Sequence, residues 1–357
     1  MAVAERLRKL RQGLRDKDLD GVIITQPDSC RYISGFTGSG GTILVSQSTA
    51  VLVTDFIYSE QARQEASAFH IIVAANSAQR FSLLLSDQAG NRLGFEPNIL
   101  TFSDHQRLAE EAGKANSTVV PTEGMIESLR SVKEAEELAL IEKAAALADC
   151  AVRYIMAEIR PGMTEKEAAW EIEKYLRERN SESVPFDIIV ASGPNAALPH
   201  ARPTERPIST SEPIIIDLGA RVDGYCSDIS RTLCLGHRDD TFRRIYDLVL
   251  QAQLAAMANI EAGMTGARVD GLARTVIEHG GYKEAFGHGL GHGLGLAVHE
   301  EPRIGPNSTD VVAENTVFTI EPGIYISGWG GVRIEDTVLI EKGKVRPLTR
   351  APKTPTL

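Results

Sequence analysis

The sequence predicts an α/β protein with α+β character, divided into two domains, and three observations carry that prediction. At 357 residues the chain is longer than a single compact core usually supports. Its first third alternates short apolar runs with amphipathic stretches, the mark of strands and helices in turn. From about Ser131 the texture changes to long charged helical patterns, and one phrase within them occurs twice.

The first domain is assigned to residues 1–125. ERLRKLRQGL has helical spacing, GVIIT, GTILVS, AVLVT and HIIVA read as strands, and IYSEQARQEA reads as a helix. The stretch GFTGSGGTILV lacks the Lys-Ser/Thr of a phosphate loop and its glycines run into a strand, so it is read as a turn between strands. The linker is expected between Thr122 and Leu129, and the second domain spans 131–357.

That second domain opens with the helical pattern SVKEAEELALIEKAAALADCAVRYIMAEI. The next helix starts at Thr164, with Glu167 three residues on, the capping-box arrangement. Ile159-Arg-Pro-Gly-Met-Thr is echoed by Ile260-Glu-Ala-Gly-Met-Thr, each time between two helical patterns and ahead of strand-like sequence. A duplicated half-domain follows from this echo, since each copy precedes a pair of strands bearing two unusual carboxylates.

Composition excludes several function classes. The net charge of -10 and the absence of Lys/Arg clusters argue against an extended nucleic-acid surface or attraction to anionic membranes. The start, MAVAERLRKLRQ, has no signal-peptide core, and no apolar run is long enough to span a bilayer, so the expected compartment is the cytoplasm. Cys30, Cys150, Cys226 and Cys234 lack paired metal-ligand spacing and are expected to be reduced. Cys226 lies two residues from Asp228, so a redox-sensitive thiol is one reading and a small buried apolar residue the favoured one.

PIIIDLGARVDGYCSDISRTLCL reads as a hairpin turning at Asp223-Gly224. In that register residue 217 faces residue 230, and Asp228 is the diagonal neighbour of Asp217 on one face. TVFTIEPGIYI and GGVRIEDTVLI embed Glu321 and Glu335 in apolar, strand-like runs. Like charges in apolar surroundings need a cation, a shared proton or solvent. Between the halves, EAFGHGLGHGLGLAVHEEPRIG offers His288, His292 and His299 on a glycine-rich backbone. Four carboxylates with one imidazole form an oxygen-rich set able to hold two divalent ions, which lower the pKa of a water and polarise a carbonyl, as amide hydrolysis requires. A serine hydrolase would need a G-x-S-x-G elbow, which the sequence lacks.

FDIIVASGPNAALPH, DLGARVDGYCSDISRT, GHGLGHGLGLAVHE, IEPGIY and VRIEDT, in this order, resemble the pita-bread metallopeptidases, and the first domain resembles that of the prolidase, aminopeptidase P and creatinase branch. The resemblance implies a small creatinase-like α/β domain followed by a pita-bread catalytic domain with an internal pseudo-twofold repeat. It implies hydrolysis of Xaa-Pro bonds in small peptides, with a slight preference for dipeptides over the longer substrates of an aminopeptidase P. It further implies that Asp217, Asp228, His292, Glu321 and Glu335 hold two metals, and the mostly oxygen ligands favour manganese or cobalt over zinc. Glu321 would accept the proton of the attacking water, and His200 and His299 would contact the substrate and stabilise the tetrahedral intermediate. His288 and Arg333 match supporting residues. Arg303 matches a position that contacts the substrate carboxylate, with an ion pair to Glu300 or Glu301 as the alternative. A homodimer is expected from the same branch. A creatinase-like C–N hydrolase or a non-catalytic peptide binder fits less well, because all five ligand positions are filled.

Overall fold

The computed structural model describes residues 2–86 and 91–355, and its backbone divides into two units, Met1–Arg130 and Ser131–Leu357. In chain order the first unit contains α1 (Ala2–Asp16), β1 (Gly21–Ile24), α2 (Pro27–Ser34), β2 (Gly41–Ser46), β3 (Ala50–Asp55), α3 (Ser59–Glu65), β4 (His70–Ala74), α4 (Arg80–Leu85), β5 (Arg92–Phe95), α5 (Phe102–Lys114), β6 (Thr118–Pro121) and α6 (Glu127–Ser131). The strands form one mixed sheet in the order β4-β3-β2-β1-β5-β6. Ile23, Leu44, Val53, Phe95 and Leu108 meet in its core.

Two expectations change here. The GFTGSGG stretch joins α2 to β2 rather than two strands. PDSCRYIS folds as a helix because the Gln26 side chain accepts the Ser29 N–H, Pro27 occupies the first turn, and Gly35 ends it at φ 83°. The Thr122–Leu129 segment is also more than a linker, since it buries Met125 and Ile126 and enters α6.

The second unit repeats one plan twice. Its first half holds α7 (Ala135–Glu158), α8 (Glu165–Glu178), β7 (Ile189–Ser192), β8 (Ile214–Leu218), β9 (Arg221–Val222), β10 (Tyr225–Cys226) and β11 (Ile229–Leu233). The second half holds α9 (Asp240–Asn259), α10 (Gly266–His279), β12 (Gly291–Gly293), β13 (Glu300–Ile304), β14 (Val317–Ile320), β15 (Gly323–Ile326), β16 (Gly330–Arg333), β17 (Asp336–Glu341) and β18 (Lys344–Pro347). The two echoed phrases occupy equivalent corners. Ile159 and Ile260 end α7 and α9, Gly162 and Gly263 both turn at φ 90°, and Thr164 and Thr265 cap α8 and α10 through their side chains. Thr164 and Glu167 complete the capping box, with the Thr164 N–H donating to the Glu167 carboxylate at 2.8 Å. Each corner then bridges to a later extended segment, Thr164 to Pro207 and Thr265 to Val311.

Each helix pair packs on its own sheet. α7 and α8 bury Ala148, Val152, Ile155 and Ile172 against Val190, Ile216 and Ile229 of the sheet β11-β8-β7. α9 and α10 bury Ile245, Val249 and Ala273 against Phe318, Ile320 and Val338 of the sheet β13-β12-β14-β17-β18.

The halves are tied by Arg231 on β11, whose side chain is 1% exposed. Its Nε donates to the Pro352 carbonyl, Nη1 to the carbonyls of Ser230 and Glu335, and Nη2 to Asp336 Oδ1 and the Ala351 carbonyl. Every guanidinium donor is used. Asp336 on β17 also receives Thr349, Gln253 and Lys353. Removing Arg231 takes this donor from four backbone carbonyls and leaves Asp336 facing Lys353 alone among its two cationic partners. Arg231→Ala should therefore destabilise the second unit by about 3–5 kcal/mol, read as a lower urea midpoint; a loss under about 1 kcal/mol would mean the seam is held by apolar packing alone.

Candidate active site

The carboxylates converge where the halves meet, Asp217 from within a strand and the other three from breaks between strands. Asp217 sits within β8, opposite Ser230 of β11. Asp223 and Gly224, both at positive φ, form the turn between β9 and β10. Asp228 lies just before β11. Glu321 and Glu335 do not sit inside continuous strands, as the runs containing them suggest. Ile320 pairs with Asp336 and Gly323 with Arg333, so β14 and β17 belong to one sheet and β15 and β16 to a separate ribbon. In the gap the Glu321 N–H donates to Leu290 at 2.8 Å and the Glu335 N–H crosses to Ser230 at 3.0 Å. Both carboxylates are thereby turned out of the ladder.

His292 enters on β12, between β13 and β14. A Cβ on Gly291 would overlap the Thr319 carbonyl and one on Gly293 the Glu301 carbonyl. The glycines flanking His292 are what allow this close approach. Its Nδ1 is 3.1 Å from the Gly293 carbonyl, which assigns the proton to Nδ1 and leaves the Nε2 lone pair facing the acids. Nε2 lies 3.5 Å from Glu321 Oε1 and 3.6 Å from Asp228 Oδ2.

A cavity of about 490 Å³ is lined by Asp217, Asp228, His292, Glu321 and Glu335 together with His200, His288, His299 and Arg333. Ligand atoms of Asp228, His292 and Glu335 all fall within 4.8 Å of one another. Arg333 is 3% exposed on its side chain and donates to Asp217 Oδ2 at 2.6 Å, to the Ser230 hydroxyl, to the Pro199 carbonyl and to the Tyr325 hydroxyl. His288 Nε2 meets the Tyr325 hydroxyl at 3.0 Å and Nδ1 meets the Gly289 carbonyl at 2.8 Å. The rings of His299 and His292 are 4.3 Å apart. His200 is exposed at the cavity rim.

The exception is Arg303. It is exposed on β13 and does not line the cavity, although its position pairs with His292. The register shifts between His292 and Gly293, and the Arg303 N–H is committed to Asp310. Cys226 is buried with its thiol 3.5 Å from the Leu296 carbonyl, outside the cavity lining, as the apolar reading expects. Sequence reasoning missed Tyr325, Asp270 and Glu165. Asp270 pairs with Arg274, which holds the carbonyls of Phe286 and His288. Glu165 accepts Ser192, Asn195 and Thr204 around the segment bearing His200. Only the capping sequence near Glu165 signalled anything.

Electrostatically the cluster is under-compensated. Burial, reinforced by neighbouring acids, raises Asp228 and Glu335 well above the ordinary carboxylate range, and Glu321 is pushed up to about 7, chiefly by burial. Burial likewise lowers His288 to about 4 and lowers His292 and His299. Asp217 Oδ1 is buried without a hydrogen-bond partner. Clustered acids, an orphaned carboxylate oxygen and an imidazole presenting Nε2 form a donor set suited to divalent cations.

A two-unit chain with such a site belongs to the class of metal-dependent hydrolases, and the comparisons specify the family. Residues 139–342 match Metallopeptidase family M24, and residues 6–132 match the Creatinase/Prolidase N-terminal domain. An Xaa-Pro dipeptidase of Pyrococcus furiosus is 37% identical over 97% of this chain and 98% of its own length. The structure of an Xaa-Pro dipeptidase from Bacillus anthracis superposes with a TM-score of 0.95 at 38% identity, covering 99% of both chains. That of an X-Pro aminopeptidase from Thermotoga maritima gives 0.90 at 34% identity, covering 98% of this chain and 99% of its own. The chain belongs to the M24 metallopeptidases and has their pita-bread architecture behind a creatinase/prolidase-type first domain. It is a peptidase, and its family works with divalent metal. Among the described residues no helix is long and apolar enough to cross a membrane.

The raised acids predict how metal-stripped protein responds to pH. Near pH 6.5 the histidines, which are lowered in the fold from 6.5, are still partly protonated in the unfolded chain and oppose the acids; above about pH 7.5 they are almost wholly neutral in both states and contribute little slope. The acids are raised, so the folded state still holds protons there that the unfolded chain has released. Stability must then fall as pH rises from about 7.5. Urea midpoints measured between about pH 7.5 and about pH 9 should decrease without metal and recover with a divalent ion; a metal-free midpoint that rises over this range would contradict the acid cluster.

Proposed function

We propose that this protein hydrolyses the Xaa-Pro bond of small peptides, with Asp217, Asp228, His292, Glu321 and Glu335 holding two divalent ions. The observation that carries the reading is the meeting of unpartnered Asp217 Oδ1, the His292 Nε2 lone pair and three further carboxylates in one buried cavity. The mainly oxygen donor set favours manganese or cobalt over zinc. When bound, the ions lower the pKa of a water and polarise the scissile carbonyl. Glu321, on the cavity wall, would take a proton from the attacking water and return it to the proline nitrogen as the C–N bond breaks. His200 and His299, on the cavity wall, donate to the oxyanion that develops on the carbonyl oxygen. Arg333 orients Asp217, and His288 is fixed by Tyr325 beside Glu321.

Relatives of both lengths of substrate exist, as the dipeptidase and aminopeptidase names show. We take the dipeptide as the primary substrate and a longer Xaa-Pro peptide as the second reading. The expected setting is the cytoplasm, as a homodimer.

Three measurements test this. Verified chelation should abolish turnover, and manganese or cobalt should restore it; full activity in the stripped enzyme would end the two-ion reading. Glu321→Gln keeps the shape of the side chain but removes the base, so kcat should fall by roughly a hundred- to ten-thousand-fold; normal turnover with both ions bound would assign the proton to another group. Side by side, Xaa-Pro should show a higher kcat/KM than Xaa-Pro-Xaa, and the reverse order favours the aminopeptidase.

A further inference from the structure

On the Xaa-Pro reading His200 donates to the oxyanion, a role that requires its ring to be held within about 0.5 Å of the productive geometry. His200 is exposed at the cavity rim, so the place of its ring follows from the backbone that carries it. That backbone leaves β7 after Ser192 and returns to the first turn of α8. There the Lys166 N–H donates to the Thr204 carbonyl at 3.1 Å, the Glu165 N–H donates to the Arg206 carbonyl at 3.1 Å, and Thr164 bridges to Pro207.

The side chain of Glu165, 0% exposed, closes the loop at both ends. Its Oε1 accepts the Ser192 N–H at 2.7 Å and the Ser192 hydroxyl at 2.8 Å. Its Oε2 accepts the Thr204 N–H at 3.0 Å and the Thr204 hydroxyl at 2.7 Å. The Asn195 amide, inside the loop, reaches both oxygens at 3.1 Å. Every one of these partners donates, which suits a carboxylate, because a glutamine would have to turn its own NH2 toward Ser192 or Thr204. Among the described residues no cation pairs with Glu165, since Arg206 gives its fork to Glu212 at 2.7 and 2.6 Å. A side chain buried only to fill space would be apolar; burial of a carboxylate has a cost that this directional set of donors offsets. Glu165 does not line the cavity, so whatever it contributes to the chemistry passes through the loop.

We propose that Glu165 is a positioning residue for the hydrolysis: by clamping both ends of the 193–203 loop it sets where His200 meets the oxyanion. The clamp leaves the metal ligands alone, and its effect falls on the turnover step rather than on substrate binding.

The test is a double-variant cycle. Metal-loaded wild type, Glu165→Gln, His200→Ala and the combined variant are compared on an Xaa-Pro dipeptide, with divalent-ion content measured for each. Glu165→Gln should lower kcat roughly ten- to a hundred-fold, with KM and ion content little changed. In the His200→Ala background the same substitution should cost at most about twofold, because the clamp then has no imidazole to position. Thr204→Val, which removes one hydroxyl from the clamp and retains the carboxylate, carries the same cycle with a smaller fall if Glu165→Gln does not fold. Independently of turnover, amide exchange across 193–203 should be faster in the clamp variant than in the wild type while that of α7 is unchanged. Losses that multiply in the combined variant, a kcat that does not fall, or unaltered exchange in the loop overturns the assignment while the wild type still cleaves Xaa-Pro. A wild type that cleaves no Xaa-Pro peptide ends that reading and the catalytic role of Glu165 with it.

Discussion

The site in the second unit depends on a buried guanidinium at the seam between its halves. Arg231 binds Asp336 and the Glu335 carbonyl across the seam and takes the carbonyls of Ala351 and Pro352 at the chain's end. Each half has its own helix pair, sheet and apolar core, so each could settle its own packing without the other. The alignment of Asp217 and Asp228 with Glu321 and Glu335 needs directional contacts between the halves. Arg231, the Glu335 N–H to Ser230, and the Thr337 hydroxyl to the Asp228 carbonyl supply them. Hydrogen bonds fix register where apolar burial, being non-directional, cannot.

The same seam concentrates negative charge, and the protein compensates only part of it. Arg333 neutralises Asp217, while Asp228, Glu321 and Glu335 share an environment that favours protonation. Groups that resist ionisation alone are suited to ligating a cation, which is the use proposed for them. Neighbouring groups hold these side chains in place. Ser230 holds Glu335, Thr319 holds Glu321, and the Gly293 carbonyl fixes the His292 tautomer. Further out, Asp270 with Arg274 fixes the segment bearing His288, and Glu165 that bearing His200. The helices thus hold the loops that line the cavity.

Much of this was legible in one dimension. The echo of Ile159–Thr164 in Ile260–Thr265 announced two equivalent corners because a helix ending, a left-handed glycine and a threonine cap are local events set by neighbouring residues. Asp223-Gly224 fixed the hairpin register and with it the pairing of Asp217 with Ser230. Acids in apolar runs stood out because burying them has a cost that the sequence alone exposes. Less legible were α2, whose cap is a glutamine, and the breaks at Glu321 and Glu335, where apolar sequence continues although the strands change partners.

By itself, then, the sequence determined the local grammar: the order of helices and strands around the site, the duplicated corners, and the set of acids and histidines that demand a cation. The tertiary structure decided which of these groups converge and which stay apart. It left Arg303 off the cavity lining and committed Arg333 to Asp217. The reason is one of range. Caps, turns and periodicity are fixed by residues a few positions apart, whereas the facing of a side chain across a sheet seam depends on contacts between residues more than a hundred positions apart, as Ser230 and Glu335 are.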